Sequence, residues 1–284
     1  MLSDKYILNL QKEEGLFSIY KAIKKENQNI YTIIRYLKEE FGNIKEYVKI
    51  KEIVILKDLN HPNIIKFIHF KEDEESYNYI YEYFSDDNMF DYTINYLHEN
   101  IEPLSEEIVQ YIMKQVVSAV KYLHDKKIVH REITLTNLFI KYNSEEDLLN
   151  KNILNSKIIL GGFNLSTYLK KGNNLNNFAG AKYYLAPEID SIIHIYNEKV
   201  DIWSLGICCF ALLYGKFPFY PKDYNNRMKY DLKTPLSKEA NSFIDCMLEI
   251  DPKKRFSAFE LSKHEFLNKK YGIKSINIKK INIH

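Results

Sequence analysis

The chain has 284 residues, 45% of them apolar, with 40 basic against 38 acidic side chains for a net charge of +2. That is material for one large domain or two lobes around a cleft, and the even spread of charge lacks the basic stripe that nucleic-acid binding requires. Cys208, Cys209 and Cys246 form neither a CxxC pair nor a set with His at metal-ligand spacing, which argues against a zinc module or a disulfide framework and points to reducing cytoplasm.

The opening "MLSDKYILNL" lacks the charged and apolar regions of a secretory signal, and the densest apolar run, "ICCFALLYG", is too short to span a bilayer, so no membrane partner is expected. From Tyr6 to Tyr83 short strand-like runs such as "YTIIRYL" and "YNYIYEYF" are interrupted by one helical stretch leading into "KEIVILKDL". This predicts a small sheet with one helix over 1–83. Helices dominate afterwards. "SEEIVQYIMKQVVSAVKYLH" repeats apolar residues at Ile108, Ile112, Val116, Val120 and Leu123, with Ser105 as N-cap and two acids in the first turn. "DIWSLGICCFALLYG" is apolar on nearly every face and predicts a helix buried inside a lobe over 84–270. The polar stretches "YNSEEDLLNKNILNS" and "KKGNNLNNF" read as mobile loops, and the tail 271–284 has no packing pattern. No calcium loop of the D-x-[DN]-x-[DN]-G type is found.

Five separated signals fall in one order: "LNHPNII" at 59–65, "HREITLTN" at 130–137, "GFN" at 162–164, "APE" at 186–188 and "DIWSLG" at 201–206. Together they resemble a eukaryotic protein kinase domain over roughly residues 5–268, with "KQVVSAVKYLHDKKIVHR" and "DPKKRFSAFELSKHEFL" most similar to the calcium- and calmodulin-dependent and calcium-dependent protein kinase group. The resemblance implies an α+β bilobal fold, with a small antiparallel β-sheet N-lobe carrying one main helix and a larger, mostly helical C-lobe.

The chemical letters of that family are mostly missing here. The resemblance puts Glu132 at the catalytic aspartate, Thr134 at the phosphate-steadying lysine, and Gly162 at the aspartate of D-F-G, leaving Asn137 as the one surviving metal-ligand counterpart. The strand expected to read V-A-x-K reads "TIIR" if Arg35 replaces the lysine opposite Glu52, or "YTII" with a slip of one residue. Only Gly15 stands in the glycine-rich loop, beside Glu13 and Glu14, with Ile19 following on the next strand. Tyr81 takes the gatekeeper position and Glu82 and Tyr83 the hinge, while Ile33 and Phe139 are expected to meet where adenine lies. Ala181 replaces a docking threonine, and Asn88 and Thr136 replace substrate-reading acids. By contrast Leu56, Phe67, His130 and Phe163 match the stack that couples the lobes, Asp201 the acid tying the buried helix to the His-Arg turn, and Glu188 with Arg255 a buried ion pair. The expectation is therefore a pseudokinase with no competent catalytic residue, no metal and no cofactor. It would scaffold or regulate a protein partner, an active kinase being one candidate. The alternative is a weak Ser/Thr kinase using ATP with magnesium, Glu132 as base, Asn137 on one metal ion, and Arg35 or Lys12 as phosphate anchor.

Overall fold

The computed structural model describes residues 2–14, 17–39, 45–85, 87–170, 174–191, 195–219, 223–224 and 235–271. Gly15, most of the stretch between Phe219 and Leu236, and the tail beyond Tyr271 lie outside the described residues.

Five strands form one antiparallel sheet in the order β1-β2-β3-β5-β4: β1 (Tyr6–Glu14), β2 (Phe17–Lys24), β3 (Ile30–Leu37), β4 (Phe67–Glu72) and β5 (Ser76–Glu82). Helix α1 (Lys45–Lys57) packs against β4 and against the turn at Phe163. Because side chains alternate across a strand, register decides which residues see the cleft. Ile33 pairs with Tyr20 and Ile80, and it packs with Leu2, Ala22 and Ile80 on the sheet face turned away from the helices. Ile34 and Tyr36 take the other face.

The rest of the chain is mainly helical. Helices α2 (Met89–Asn100) and α3 (Glu106–Asp125) are followed by the short pair β6 (Ile128–Val129) with β9 (Thr167–Tyr168) and the hairpin-like pair β7 (Leu138–Tyr142) with β8 (Ser156–Leu160). Ser105 caps α3 by accepting from the Ile108 N–H, and Val109, Ile112, Met113, Val116, Val120 and Leu123 bury its inner face. Helix α5 (Lys199–Tyr214) is buried from Val200 through Leu213, and burial pushes the Cys208 and Cys209 thiols up, leaving them inert core groups. A Cβ on Gly206 would lie 2.7 Å from Leu248, so glycine lets α5 approach the end of α6 (Lys238–Met247). Helices α7 (Ala258–Leu261) and α8 (Glu265–Asn268) close the lobe. No helix among the described residues is long and apolar enough to cross a membrane.

The stretch 142–156, read from its composition as a loop, contains regular structure. Residues Glu145–Leu149 form α4, and Ile153–Asn155 form a 3-10 turn. The buried Asp147 carboxylate organises both, accepting from Ser144 Oγ at 2.6 Å, Asn152 Nδ2 at 2.9 Å and Asn155 Nδ2 at 2.8 Å. Three short polar side chains converging on one acid make an ordered turn from a stretch whose composition resembles a linker. The Asn-rich run after 173 is likewise pinned, since Leu175 and Tyr196 exchange backbone hydrogen bonds at 2.8 and 3.0 Å.

Arg255 is 1% exposed and forks onto Glu188, with Nη1–Oε1 at 2.6 Å and Nη2–Oε2 at 3.0 Å, while its face lies 5.1 Å from the Trp203 ring. Removing one member of such a pair strands the other, a loss of about 3–5 kcal/mol. Arg255→Met is expected to lower the melting temperature by roughly 10 °C, and Arg255→Met with Glu188→Leu to recover part of it. A double-variant loss equal to the sum of the two single-variant losses would show that the two side chains are not coupled.

Candidate functional site

The turn after β6 is held by one acid of α5. Asp201, fully buried, accepts from the backbone N–H of His130 at 2.9 Å and of Arg131 at 2.8 Å, and pairs with His124 Nε2 at 2.9 Å. Burial alone would raise its pKa, but His124 and these donors hold it below the usual carboxylate range. The His130 ring turns into the core, with Nε2 2.9 Å from the Gly161 carbonyl and the Phe163 ring edge-on at 4.7 Å. Burial lowers its pKa to about 4, so it is neutral near pH 7. Arg131 donates through Nε to the Leu165 carbonyl at 2.7 Å and through Nη1 to Asn177 Oδ1 at 2.8 Å and the Tyr196 hydroxyl at 3.1 Å.

These contacts deliver Glu132, Asn137 and Gly162 to the floor of a cavity of about 280 Å³ beneath the sheet. Asn137 donates to the Glu132 carbonyl at 2.8 Å, and its side chain lies against Gly162. A Cβ at residue 162 would come 2.4 Å from Asn137 Nδ2, and the backbone there is left-handed at φ 74°. Glycine suits this left-handed position, and any larger residue there requires the Asn137 side chain to move. Thr134 caps the 3-10 turn Leu135–Asn137 and bonds Thr136 Oγ1 at 2.8 Å, so it is a turn former with no charge to offer. The Glu132 carboxylate makes no hydrogen bond or ion pair with a described residue, and burial raises its pKa to about 7.

The roof carries the main corrections to the sequence reading. Ile33 does not meet Phe139: it lies on the far face of the sheet, and Ile34 lines the cavity instead. Arg35 does not face Glu52. It donates from Nε to Asn78 Oδ1 at 3.1 Å and lies over the Tyr20 ring at 5.4 Å, on the same far face. The lysine's place is taken by Tyr36, one residue further on, so neither register considered from the sequence is the one adopted. Glu52, 7% exposed, accepts instead from the Asn164 amide, whose nitrogen lies 3.1 and 3.3 Å from its two oxygens. Burial first, and the Glu52 charge second, raise the hydroxyl pKa values of Tyr36, Tyr79 and Tyr81, so all three stay neutral phenols.

Phe139 meets Phe84, with ring centroids 4.7 Å apart, and Tyr81 packs beside them, 4% exposed and 5.9 Å from Phe67. Ile19 and Leu56 also line the cavity, and Leu56, Phe163 and the half-buried Phe67 share one core cluster across both lobes. Glu82 pairs with Lys141 and Tyr83 with Lys21, 5.4 Å from its ring, both on the connection between the lobes. Asn88 is the N-cap of α2, accepting from the Asp91 N–H at 3.0 Å. Lys12 is the one basic side chain lining the cavity among the described residues, and it lies 4.0 Å from Asp91 Oδ2. Ala181 sits at the start of the 3-10 turn Lys182–Tyr184, its carbonyl accepting from the Tyr184 N–H at 2.9 Å. Among the described residues no group of three or more His, Cys, Asp or Glu side chains is placed to hold a metal ion.

The family model for the protein kinase domain matches residues 14–267. The chain belongs to the protein kinase domain family. It is 31% identical to the CaM kinase-like vesicle-associated protein of Danio rerio over 94% of this chain and 62% of that protein. It is also 31% identical to calcium-dependent protein kinase 3 of Plasmodium berghei over 95% of this chain and 48% of that one. The serine/threonine-protein kinase polo of Drosophila melanogaster is 33% identical over 76% of the chain and 36% of its own length. The chain thus spans less than two thirds of the length of these relatives. Sequence reasoning missed Tyr36 and Asn164 in this kinase-domain cleft. Asn164 directly follows "GF", and Tyr36 could have been found by testing the strand in its third possible frame against the apolar residues of β5.

Gly162→Asp, which rewrites "GFN" toward the kinase D-F-G, is expected to lower the melting temperature through the close contact with Asn137, since aspartate tolerates a left-handed backbone better than most residues. Adding Asn137→Ala should return part of the lost melting temperature. Wild-type stability in the Gly162→Asp chain would show that this contact does not constrain residue 162.

Proposed function

We propose that this kinase domain does not transfer phosphate and acts by binding, as a scaffold or allosteric regulator of a protein partner, an active kinase being the first candidate. The observation that carries this reading is Gly162 beside Asn137: the residue at the D-F-G acid position offers no carboxylate to a metal ion, and the Asn137 amide nitrogen is bonded to the Glu132 carbonyl. A magnesium triphosphate also needs cationic and backbone donors for its charge. The cleft offers instead two carboxylates, Glu52 and Glu132, neutral phenols, and a lysine already beside Asp91. These residues do not fit that group, and no phosphate-transfer step is derived for them. The buried scaffold contacts of Asp201 and Arg255 support a domain retained for its shape. A cytoplasmic setting accords with two buried, unpaired cysteines.

One observation favours a weak Ser/Thr kinase as a second reading: Glu132 sits on the cavity floor with its pKa raised by burial to about 7, near the optimum for a general base. Thermal melting with millimolar ATP, alone and with Mg²⁺ or Mn²⁺, separates the two. A nucleotide at 100 times its Kd would stabilise by about 2.7 kcal/mol, whereas the binding-domain reading expects no shift. Phosphate transfer to protein that disappears in Glu132→Gln would replace it with the second reading.

A further inference from the structure

The charge in the cleft has the opposite sign to the one a polyanion needs, and it points to another class of ligand. Two carboxylates line the cavity, from α1 (Glu52) and from the turn after β6 (Glu132). The one basic side chain lining the cavity among the described residues, Lys12, lies 4.0 Å from Asp91 Oδ2. Glu52 is engaged by Asn164, but the Glu132 carboxylate makes no hydrogen bond or ion pair with a described residue. Around these acids the walls are apolar and aromatic: Phe17, Ile34, Tyr36, Tyr81, Phe139 and Phe163.

Glu132 is half-buried, and a carboxylate partly withdrawn from water gains from a ligand that brings a positive charge. Aromatic faces attract the same charge through their quadrupoles and give an apolar body somewhere to bury. We propose that this cleft binds a small organic ammonium ion, an amine cation on an aromatic or apolar body, with Glu132 as its counter-ion and the aromatic walls as its cage. The proposal rests on the functional reading above in one respect, that the cleft does not seat a nucleotide.

The charged and titratable groups lining the cavity with Glu132 are Lys12 from β1, Tyr36 from β3, Glu52 from α1 and Tyr81 from β5. On its own segment His130 is neutral and turned into the core, and Arg131 is bound to Leu165, Asn177 and Tyr196.

The test is isothermal titration of the full chain with phenethylammonium chloride, with neutral 2-phenylethanol and anionic 3-phenylpropionate as controls of similar shape. The expected result is saturable binding of the ammonium at pH 8, at least tenfold tighter than the alcohol and at least tenfold weakened by Glu132→Gln, with no binding of the carboxylate. Should that variant fold poorly, the ammonium against alcohol comparison in the unaltered chain reads the same preference for positive charge. Equal affinity for ammonium and alcohol, or affinity unchanged by a folded Glu132→Gln variant, overturns the proposal. Absence of binding by every probe, with melting also unmoved by ATP and Mg²⁺, overturns this inference and leaves the functional reading standing. A melting shift with ATP and Mg²⁺ overturns the functional reading, while the ammonium titration still decides the ligand.

Discussion

The buried carboxylate of Asp201 is the constraint from which the site follows. A charge fully removed from water persists only where donors replace its hydration, and here the His130 and Arg131 amides and His124 supply them. That satisfaction fixes the backbone of the turn, with Arg131 held at φ 68°. His130 is thereby aimed at Phe163 and at the Gly161 carbonyl. Everything on the cavity floor inherits its position from this arrangement: the Glu132 side chain, the Asn137 amide and the close approach to Gly162.

Above that floor, the cleft is lined by residues other than those of the kinase motif. In place of a lysine and carboxylate pairing across β3 and α1, the structure has a carboxylate hydrogen-bonded by an amide and surrounded by phenols. Neutral donors can satisfy a buried acid without adding positive charge. The consequence is that the interlobe cavity keeps a net acidic lining. Its space, about 280 Å³, is close to the lower end of what small-molecule sites occupy.

The organisation into a sheet with one helix followed by a helical body was legible from periodicity, because alternation and the i, i+3, i+4 pattern depend on local geometry that each segment carries itself. The motif positions were legible too, and with them Glu132, Asn137, Gly162, Phe163 and Asp201. The register of β3 was not. "TIIRYL" offers an apolar alternation in either frame, and the basic Arg35 was a tempting stand-in for a lysine. What decided the frame was the far face, where Ile33 closes against Leu2, Ala22 and Ile80 while Arg35 finds Asn78 and Tyr20. The stretch around Asp147 misled for a related reason: a polar composition records solvent preference, not whether its side chains converge on one acceptor.

By itself, then, the amino-acid sequence determined the family, the order of elements and the removal of a lysine and an acid from their expected places, since these are properties of residue identity and spacing. The tertiary structure alone decided which side chains fill the vacated positions, Tyr36 and Asn164 among them, and which carboxylate is left facing the cavity. The physical reason is that strand register and side-chain pairing are settled by contacts between segments far apart in the chain, and a one-residue shift in register exchanges the two faces of a strand.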